Sequence, residues 1–436
     1  MLEPLYTADE MRAAERGHDV DAMMERAGRA VAAEVRRAFP DAKRVVAVCG
    51  KGANGGDGRI AVRFLREAGV DATDDGDVVG ADVIVDALFG TGFRGEPRAD
   101  AAGEIERMNG GGAPIVAVDV PSGVDASTGE VAGVAVRAAK TVAMHGPKVG
   151  LVVAPGRFHA GEVVAAEIGI PHVETKHHLV SRAVLRLVPR RMSSDNKYSS
   201  GSVLVVGGAP GLTGAAALAA QAAFRADAGY VAVAAPPESL RVLEAILLEA
   251  VKRPLDEVDA ALEKATAVAL GPGLGAGREA LVQRVLERDI PAVVDADALR
   301  SLRPLQRQAP TVLTPHEGEL ARLLETESAS VRAHRLEAVQ NAAERFGCVV
   351  LLKGADTLVA APGAGVLVVA LGPPSLAVAG TGDVLTGILA SFLAKGLEPS
   401  LAAAAAAAAQ QVAAGLAEPV GMVASDVVAA LPRALA

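Results

Sequence analysis

A short glycine-rich loop in the last quarter of the chain ends in an acid that could serve as a base. Gly380-Thr-Gly-Asp383 runs directly into an apolar helical segment that starts at Val384. Backbone N–H groups at a helix N-terminus can bind an anion such as a transferring phosphoryl group. Because the helix dipole favours an ionised carboxylate there, Asp383 is a candidate base for an incoming hydroxyl. An Asp that caps its helix gives the same pattern, and the two roles are compatible.

Three loops in the first half of the chain also combine acids with glycines. They are Gly50-Lys-Gly-Ala-Asn-Gly-Gly-Asp-Gly58, Asp86-Ala-Leu-Phe-Gly-Thr-Gly-Phe-Arg-Gly-Glu96 and Asp119-Val-Pro-Ser-Gly-Val-Asp125. Each loop begins where a short apolar run, typical of a buried strand, ends. Ligands of open parallel sheets bind at the carboxyl ends of the strands. We therefore expect Asn54, Asp57, Asp86 and Asp119 to lie at one edge of a sheet.

The second half of the chain carries a denser series of such segments. Besides Gly380–Asp383 they are Val206-Gly-Gly-Ala-Pro-Gly-Leu-Thr-Gly-Ala-Ala216, Gly271-Pro-Gly-Leu-Gly275, Asp295-Ala-Asp-Ala-Leu299, Leu313-Thr-Pro-His-Glu-Gly-Glu319 and Leu352-Lys-Gly-Ala-Asp356. A single glycine-rich turn between a strand and a helix is a weak signal, and an isolated His316 would more often be structural. The combination of all these segments carries the interpretation.

Short apolar runs that alternate with helical patterns must position these loops. Strands are predicted at 44–50, 82–88, 115–119, 141–144, 202–206, 230–234, 267–270, 292–295, 311–313 and 349–352. Helical patterns cover residues 8–38, 60–68 and the alanine-rich Leu401–Leu416, and residues 52–58 are predicted to form a turn. This alternation predicts an α/β protein with parallel sheets. A polar stretch with Pro189 and Arg190 divides it into domains at 1–175 and 195–436, joined by a connection at 176–194.

The composition excludes several classes of protein. The chain has 436 residues, of which 51% are hydrophobic and 22% charged, and its net charge is -9. An acidic chain without basic runs argues against a nucleic-acid-binding protein. The N-terminal residues do not resemble a signal peptide, and the longest uncharged stretch, Leu358–Gly382, is broken by Pro and Gly. We expect a cytoplasmic protein without membrane partners, in which Cys49 and Cys348 are buried, reduced thiols.

The three loops of the first half, with Met144-His-Gly-Pro-Lys-Val-Gly-Leu151, resemble the signature segments of the NAD(P)HX epimerase family, the YjeF N-terminal domain. The resemblance implies a Rossmann-like domain of three layers over residues 1 to about 175. It implies a potassium ion held by Asn54, Asp86 and Ser122, which are oxygen donors suited to a hard cation. It implies hydrate contacts from Ala53, Asn54, Gly55, Gly56, Asp57, Gly90, Thr91, Gly92, Phe93, Arg94, Gly95, Glu96 and Asp119. The family usually has Asn where this chain has Ala53, so that contact differs here.

The chemistry of the hydrate explains why a carboxylate is needed. Its C6 hydroxyl lies next to the ring nitrogen, whose lone pair can help to expel it. Inversion at C6 then requires a group that gives and takes a proton, and the carboxylate of Asp119 can do both. Lys148 could assist Asp119, could bind phosphate, or could be an ordinary surface lysine.

The segments of the second half resemble the ADP-dependent NAD(P)HX dehydratase family, which has a ribokinase-like fold of three layers. This resemblance runs from about residue 190 to the C-terminus, with Ala379 where the family usually has Gly. It implies hydrate contacts from Ala215, Gly273, His316 and Asp383. It implies nucleotide contacts from Lys353, Gly354, Ala355, Asp356, Thr357 and Gly382. ADP would be the co-substrate, yielding AMP and phosphate, and Mg²⁺ is expected with the phosphates.

Both resemblances occur in the order of a fused, bifunctional repair enzyme. Such an enzyme interconverts the R and S hydrates of NADH and NADPH, NADHX and NADPHX, and dehydrates the S form after phosphorylating its hydroxyl. We expect a homo-oligomer. One alternative is a small-molecule kinase of the hydroxyethylthiazole type, which would not explain residues 1–175 or the segment around His316. The other alternative is a sensor or scaffold that binds nucleotides without turnover.

Overall fold

The computed structural model describes residues 1–74, 76–171 and 173–436, which form two compact units. The N-terminal unit comprises Pro4–His178 with Arg332–Arg335. The C-terminal unit comprises Met1–Glu3, Leu179–Val331 and Leu336–Ala436. The first three residues of the chain therefore belong to the unit that is built mainly from its second half.

The N-terminal unit is built on a parallel sheet of six strands in the order β3-β2-β4-β5-β6-β7. Its strands are β2 Arg44–Cys49, β3 Asp71–Thr73, β4 Val83–Ala87, β5 Ile115–Val118, β6 Lys140–Met144 and β7 Glu162–Ala166. Its helices are α1 Ala8–Glu15, α2 Val20–Ala38, α3 Ala53–Glu67, α4 Ala99–Gly110 and α5 Arg157–Ala160, with a short 3₁₀ helix at Val149–Leu151.

Helix α2 shows how the sequence builds this layer. Asp19 caps it by accepting a hydrogen bond from the Ala22 N–H. Apolar residues then recur at every fourth position, which places them on one face of a helix. Met23, Ala27, Val31 and Val35 are all buried in the core beside the sheet.

Residues 53–58, which we expected to form a turn, are the first turns of α3. The prediction of a turn was therefore wrong, although glycines do fill this segment. The reason is a close approach of backbone to backbone. A Cβ on Gly55 would lie 1.9 Å from the Gly50 carbonyl oxygen, so only glycine lets the helix start against the strand end.

The C-terminal unit contains most of an eleven-stranded sheet in the order β1-β8-β17-β16-β15-β14-β13-β12-β9-β10-β11. Its strands are β1 Leu2–Leu5, β8 His177–Val180, β9 Ser202–Val206, β10 Tyr230–Ala235, β11 Val251–Pro254, β12 Ala267–Leu270, β13 Ala292–Val294, β14 Thr311–Leu313, β15 Val349–Leu352, β16 Thr357–Ala360 and β17 Val366–Val369. The pairs from β15 to β11 are parallel, whereas β15, β16 and β17 are antiparallel neighbours.

Helices cover this sheet. They are α6 Thr213–Arg225, α7 Pro237–Ile246, α8 Val258–Leu262, α9 Glu279–Leu286, α10 Glu317–Leu324, α11 Ser328–Ala333, α12 Arg335–Phe346, α13 Thr381–Ala394, α14 Pro399–Gly415 and α15 Ala424–Leu435. Short 3₁₀ helices lie at Arg182–Leu187, Leu255–Glu257, Ala296–Leu299 and Pro374–Leu376. Residues 176–194, predicted as a connection, thus contribute strand β8 and a 3₁₀ helix.

Small residues let the helices of this unit pack closely. The alanines at 402–409 in α14 are all buried, none more than 1% exposed. In α13, a Cβ on Gly387 would lie 2.0 Å from the Ala219 carbonyl oxygen of α6. Glycine at this position therefore sets how closely the two helices approach. Within the described part of the chain, we find no helix that combines the length and the hydrophobicity of a membrane-spanning segment.

Candidate active sites

The structure brings the three loops of the N-terminal unit together at the carboxyl edge of its sheet, around a cavity of about 1100 Å³. The wall of this cavity includes the predicted hydrate-binding residues Ala53, Asn54, Asp57, Gly90, Thr91, Gly92, Phe93, Arg94, Glu96 and Asp119. Gly55, Gly56, Gly95, Asp86 and Ser122 lie outside the wall. The volume slightly exceeds the upper end of the range for small-molecule pockets, so the cavity is large enough for a dinucleotide-sized ligand.

The three predicted potassium ligands form one network that begins in the cavity wall at Asn54 and continues behind it to Asp86 and Ser122. Asp86, at the end of β4, is fully buried and accepts hydrogen bonds from the Ser122 N–H at 2.8 Å and hydroxyl at 2.6 Å. Asn54 Nδ2 donates to the Phe89 carbonyl at 2.7 Å, and the Phe89 N–H donates to Ser122 Oγ at 2.9 Å. Burial raises the pKa of Asp86 to about 6, although the hydrogen bonds from Ser122 oppose this shift.

Asp119 is held in an unusual backbone conformation next to a buried lysine. Its φ is +68°, a left-handed value that Asp tolerates better than most residues. Its Oδ1 accepts hydrogen bonds from the Met144 N–H at 3.1 Å and from Lys148 Nζ. Lys148 is fully buried and also donates to the Met144 carbonyl at 2.6 Å. The interpretation of Lys148 as a surface lysine was therefore wrong.

Burial and the charge of Asp119 raise the pKa of two more carboxyl groups in the cavity wall. Burial raises the pKa of Asp57 to about 7, and the charges of Asp119 and Glu15 add to this effect. Burial and the charge of Asp119 also raise the pKa of Glu15, against the effect of Lys148. Glu15 is not predictable as a site residue, because its place in the amphipathic helix α1 gives no sign that it lies near the strand ends.

In the C-terminal unit, Asp383 lies in the first turn of α13, after Gly380 with φ of +89°. We expected the helix dipole to keep this carboxylate ionised. Instead its pKa is raised to about 7, first by burial and then by the charge of Asp295, while Lys353 opposes the shift. Burial and the neighbouring acids therefore raise the pKa of Asp383 although it lies at the N-terminal end of a helix. A base with a pKa near neutrality suits proton transfer at physiological pH.

Lys353, whose side chain is 20% exposed, forms an ion pair with the buried Asp295 beside Asp383. Lys353 Nζ lies 2.8 Å from Asp295 Oδ1 and 3.8 Å from Glu319 Oε2. Burial lowers the pKa of Lys353, but the charges of Asp295 and Glu319 outweigh burial and leave the pKa above its ordinary value. Asp295 and Glu319 lie in segments that the sequence analysis singled out, yet we gave neither a role. An acid directly after a strand was the available signal for Asp295.

The nucleotide-binding residues predicted around Lys353 differ in exposure. Gly354 and Ala355 are exposed, whereas Asp356 and Thr357 are buried, at 1% and 5%. A Cβ on Gly382 would lie 3.4 Å from Lys353 Nζ, so the lysine head lies against the start of α13. The structure therefore brings Lys353 and Gly382 together, whereas Gly354 and Ala355 lie at the surface.

The remaining predicted contacts lie in turns of the same unit. His316 Nδ1 accepts hydrogen bonds from the N–H groups of Gly318 and Glu319, so His316 caps α10, and its ring is 58% exposed. Gly273 has φ of +59°, and a Cβ there would lie 3.1 Å from the Ala215 Cβ at the start of α6. Ala215 and Gly273 are thus adjacent. His316 stabilises the N-terminus of α10 as its cap.

Comparison with known proteins matches both parts of the chain to families. Residues 203–433 match the family described as NAD(P)H-hydrate dehydratase, and residues 20–74 and 72–150 match the family described as YjeF-related protein N-terminus. An ADP/ATP-dependent NAD(P)H-hydrate dehydratase from Bacillus subtilis, co-crystallised with ATP and Mg²⁺, is 27% identical with a TM-score of 0.54. The match covers 58% of this chain and 96% of that one, which supports the ribokinase-like fold.

Curated relatives are similar over most of their length. A bifunctional NAD(P)H-hydrate repair enzyme of Moorella thermoacetica is 38% identical over 87% of this chain and 85% of its own. The enzyme of Salinibacter ruber is 36% identical, and the match covers 100% of this chain and 97% of that one. The enzyme of Escherichia coli is 34% identical, and the match covers 98% of this chain and 93% of that one. These matches confirm the resemblance noted in the sequence, and the chain belongs to the family of bifunctional NAD(P)H-hydrate repair enzymes.

Proposed function

We propose that the N-terminal unit interconverts the R and S hydrates of NADH and NADPH, and that the C-terminal unit dehydrates the S hydrate with ADP or ATP. The observation that carries the proposal is a pair of separate sheet-edge sites in a chain related along its length to bifunctional repair enzymes. In each site a carboxyl group with a pKa near 7, Asp57 or Asp383, lies in the opening turns of a helix, near an ion pair between lysine and aspartate.

The dehydratase site supplies a base and a positive charge. Asp383 takes the proton of the hydrate's C6 hydroxyl while that oxygen forms a bond to the terminal phosphorus of the nucleotide. Lys353 and the N–H groups at the start of α13 stabilise the phosphate charge. Phosphate then leaves C6 with the C–O electron pair, assisted by the ring nitrogen, and loss of a proton from C5 completes the double bond. With ADP, the other product is AMP.

Cations fit both sites by the chemistry of their donors. Asp295, Asp297 and Glu319 are carboxylates that raise the pKa of Asp383, and Lys353 is the lysine that opposes them, so the cluster is acidic enough to bind Mg²⁺ with a nucleotide. Such an ion would neutralise phosphate charge. In the N-terminal unit, Asn54, Asp86 and Ser122 would hold K⁺, which would keep Asp86 ionised. No described lysine or arginine forms an ion pair with that buried carboxylate.

A turnover assay tests the proposal. The full chain is mixed with R and S NADHX, with and without ADP or ATP, while chromatography follows the epimers and absorbance at 340 nm follows NADH. We expect epimerisation without nucleotide, and NADH, AMP and phosphate with ADP. A stable phosphorylated product would favour the kinase alternative instead, and binding without turnover would favour the sensor. NADPHX is expected to behave in the same way.

We further infer a cytoplasmic location and a homo-oligomeric state. The location rests on composition, and the homo-oligomer is the expectation stated with the family resemblance. Size-exclusion chromatography with light scattering measures the oligomeric state, and cell fractionation measures the location.

A further inference from the structure

Two carboxyl groups in the wall of the N-terminal cavity, those of Asp119 and Asp57, differ in their hydrogen-bond partners. Asp119 Oδ1 is bound by the ammonium of Lys148 and by the Met144 N–H. Asp57 Oδ1 is buried and accepts no hydrogen bond from any residue in the described part of the chain. Both residues line the same cavity. Carboxyl pairs whose environments separate their protonation states are the usual basis of acid and base roles in one site.

We propose that Asp57 is the proton donor and Asp119 the proton acceptor in hydrate inversion. Two carboxyl groups would then share the work that we first assigned to Asp119 alone. This inference rests on the proposed epimerase function of the same cavity and assigns the proton transfers within it.

The proton and electron balance of the reaction is complete with water alone. The proton of Asp57 moves to the C6 hydroxyl, the C6–O electron pair leaves with the new water molecule, and the ring-nitrogen lone pair forms the N1–C6 double bond. A water molecule then forms a bond to the opposite face of C6, and the double-bond electrons return to nitrogen. Asp119 takes the proton that this water loses. Asp119 then releases this proton to solvent while Asp57 takes one up, which restores the starting state, and the reverse reaction uses the two residues in exchanged roles.

The charges around Asp57 and Asp119 favour Asp57 as the proton donor and Asp119 as the acceptor. Asp119, after β5, and Glu15, on α1, face Asp57, and both raise its pKa, which burial has already raised. The cation nearby, Lys148, pairs directly with Asp119. Cys49, on β2, lines the same cavity, but burial raises its pKa to about 11, so it is a neutral thiol. Lys51 also belongs to the wall and is exposed.

Replacement of the donor tests the proposal. Asp57→Asn keeps the shape of the side chain and removes the acid, and Asp41→Asn, at an exposed position outside the cavity, is the matched control. We expect epimerisation by Asp57→Asn to fall ~100-fold or more, in line with loss of a general acid, while the control stays at the wild-type rate. An Asp57→Asn variant within threefold of wild type would overturn the proposal.

A second variant separates a proton donor from a structural residue. Because the donor must be protonated, kcat/KM for epimerisation should fall as pH rises through the pKa of Asp57. Glu15→Gln removes one of the charges that raise this pKa, so the falling limb should move to lower pH. A limb that does not move would contradict the proposal, since a structural role predicts no shift.

Infrared spectroscopy gives a readout that does not depend on activity. The spectrum of wild type minus Asp57→Asn at pH 6 should contain the C=O band of a protonated carboxyl group, and its absence would overturn the assignment. If instead the wild-type chain binds the hydrates without inverting them, the proposed epimerase function is wrong. That result is distinct from an active wild type with an equally active variant, which rejects Asp57 alone.

Discussion

Lys353 Nζ lies 2.8 Å from Asp295 Oδ1 at the carboxyl edge of the C-terminal sheet. Thr386 Oγ1 donates to the other Asp295 oxygen at 2.7 Å, so α13 also holds the carboxylate in place. A largely buried ion pair adds little net stability, because removing both charges from water costs about as much as their attraction returns. Its effect is positional, since it directs the ammonium group of Lys353 towards Gly382 at the start of α13.

Removing the charge of Asp295 should therefore impair dehydration. In Asp295→Asn, Lys353 loses its closest counter-charge, and we expect the dehydration rate to fall ~10-fold or more, with a loss of roughly 1–3 kcal/mol of stability for the disturbed pair. Epimerisation should be unchanged. Denaturant unfolding and the NADH assay measure both effects, with the exposed Asp289→Asn as control. Equal activity in the two variants would remove Asp295 from the site.

Asp383→Asn should abolish dehydration. Loss of a general base typically costs ~100-fold or more in rate, whereas nucleotide binding and epimerisation should be retained. Single-turnover assays with S-NADHX measure the rate, and calorimetric titration with ADP measures binding. Near-wild-type dehydration would exclude Asp383 as the base.

The pH dependence of dehydration should follow the ionisation of Asp383. The pKa of Asp383 is raised to about 7, and a base must be ionised to act. The rate should therefore fall as pH drops through about 7 and level off above it. A profile that is flat between pH 6 and 8 would indicate that another group takes the proton.

Epimerisation should depend on K⁺ through Asp86. Replacing KCl by choline chloride at equal ionic strength should slow the reaction, and Asp86→Asn should be slow in both salts. Because burial raises the pKa of Asp86 to about 6, protons compete with the ion, and more K⁺ should be needed as pH falls through 6. Epimerisation that is equal in both salts would argue against this ion site.

Two glycines at the start of α3 form a matched pair. A Cβ on Gly55 would lie 1.9 Å from the Gly50 carbonyl, whereas one on Gly52 meets nothing within 4 Å. Gly55→Ala should cost roughly 1–3 kcal/mol, as overpacking does, and should reduce epimerisation. Gly52→Ala should keep the stability of wild type. Thermal unfolding of the two variants makes the comparison, and equal stability would contradict the close approach.

The sequence predicted strand positions well where apolar runs end in Asp or Gly. The runs at 202–206 and 267–270 match β9 and β12 residue for residue. Strand β8 escaped prediction because His177–Val180 begins with two histidines and lacks an apolar run. Its place in the sheet depends on neighbours distant in sequence, which local propensity does not encode.

The candidate sites were predictable as loops but not as networks. Motifs identified both aspartates, because Asp119 opens one recognisable segment and Asp383 ends another. Glu15 contributes through the tertiary packing of α1, which carries no motif. The rise in the pKa of Asp383 could also not be predicted from the sequence, because its burial and its distance from the charge of Asp295 depend on the folded structure.

The structure also refines where the chain should be divided. Leu179–Leu187 of the C-terminal unit contain part of β8 and a 3₁₀ helix, and fragment 195–436 lacks these residues. Their loss would leave the edge of β17 uncovered. Uncovered strand edges promote aggregation. We expect fragment 177–436, which keeps all of β8, to be the more soluble of the two and to consume only the S hydrate of a mixture until fragment 4–176 is added. Consumption of both epimers at equal rates by 177–436 alone would contradict the proposed division of labour.

Strand β1 has a consequence for the order in which the protein can fold during synthesis. The Ser181 N–H donates to the Met1 carbonyl at 3.0 Å, and the two residues are 180 positions apart in the chain. On the ribosome, β1 is made long before its sheet partners, so it must wait unpaired while the N-terminal unit emerges. Pairing over such a separation is a slow, late event in folding. The nascent C-terminal unit can therefore be completed only by a segment that left the exit tunnel long before the rest of its sheet.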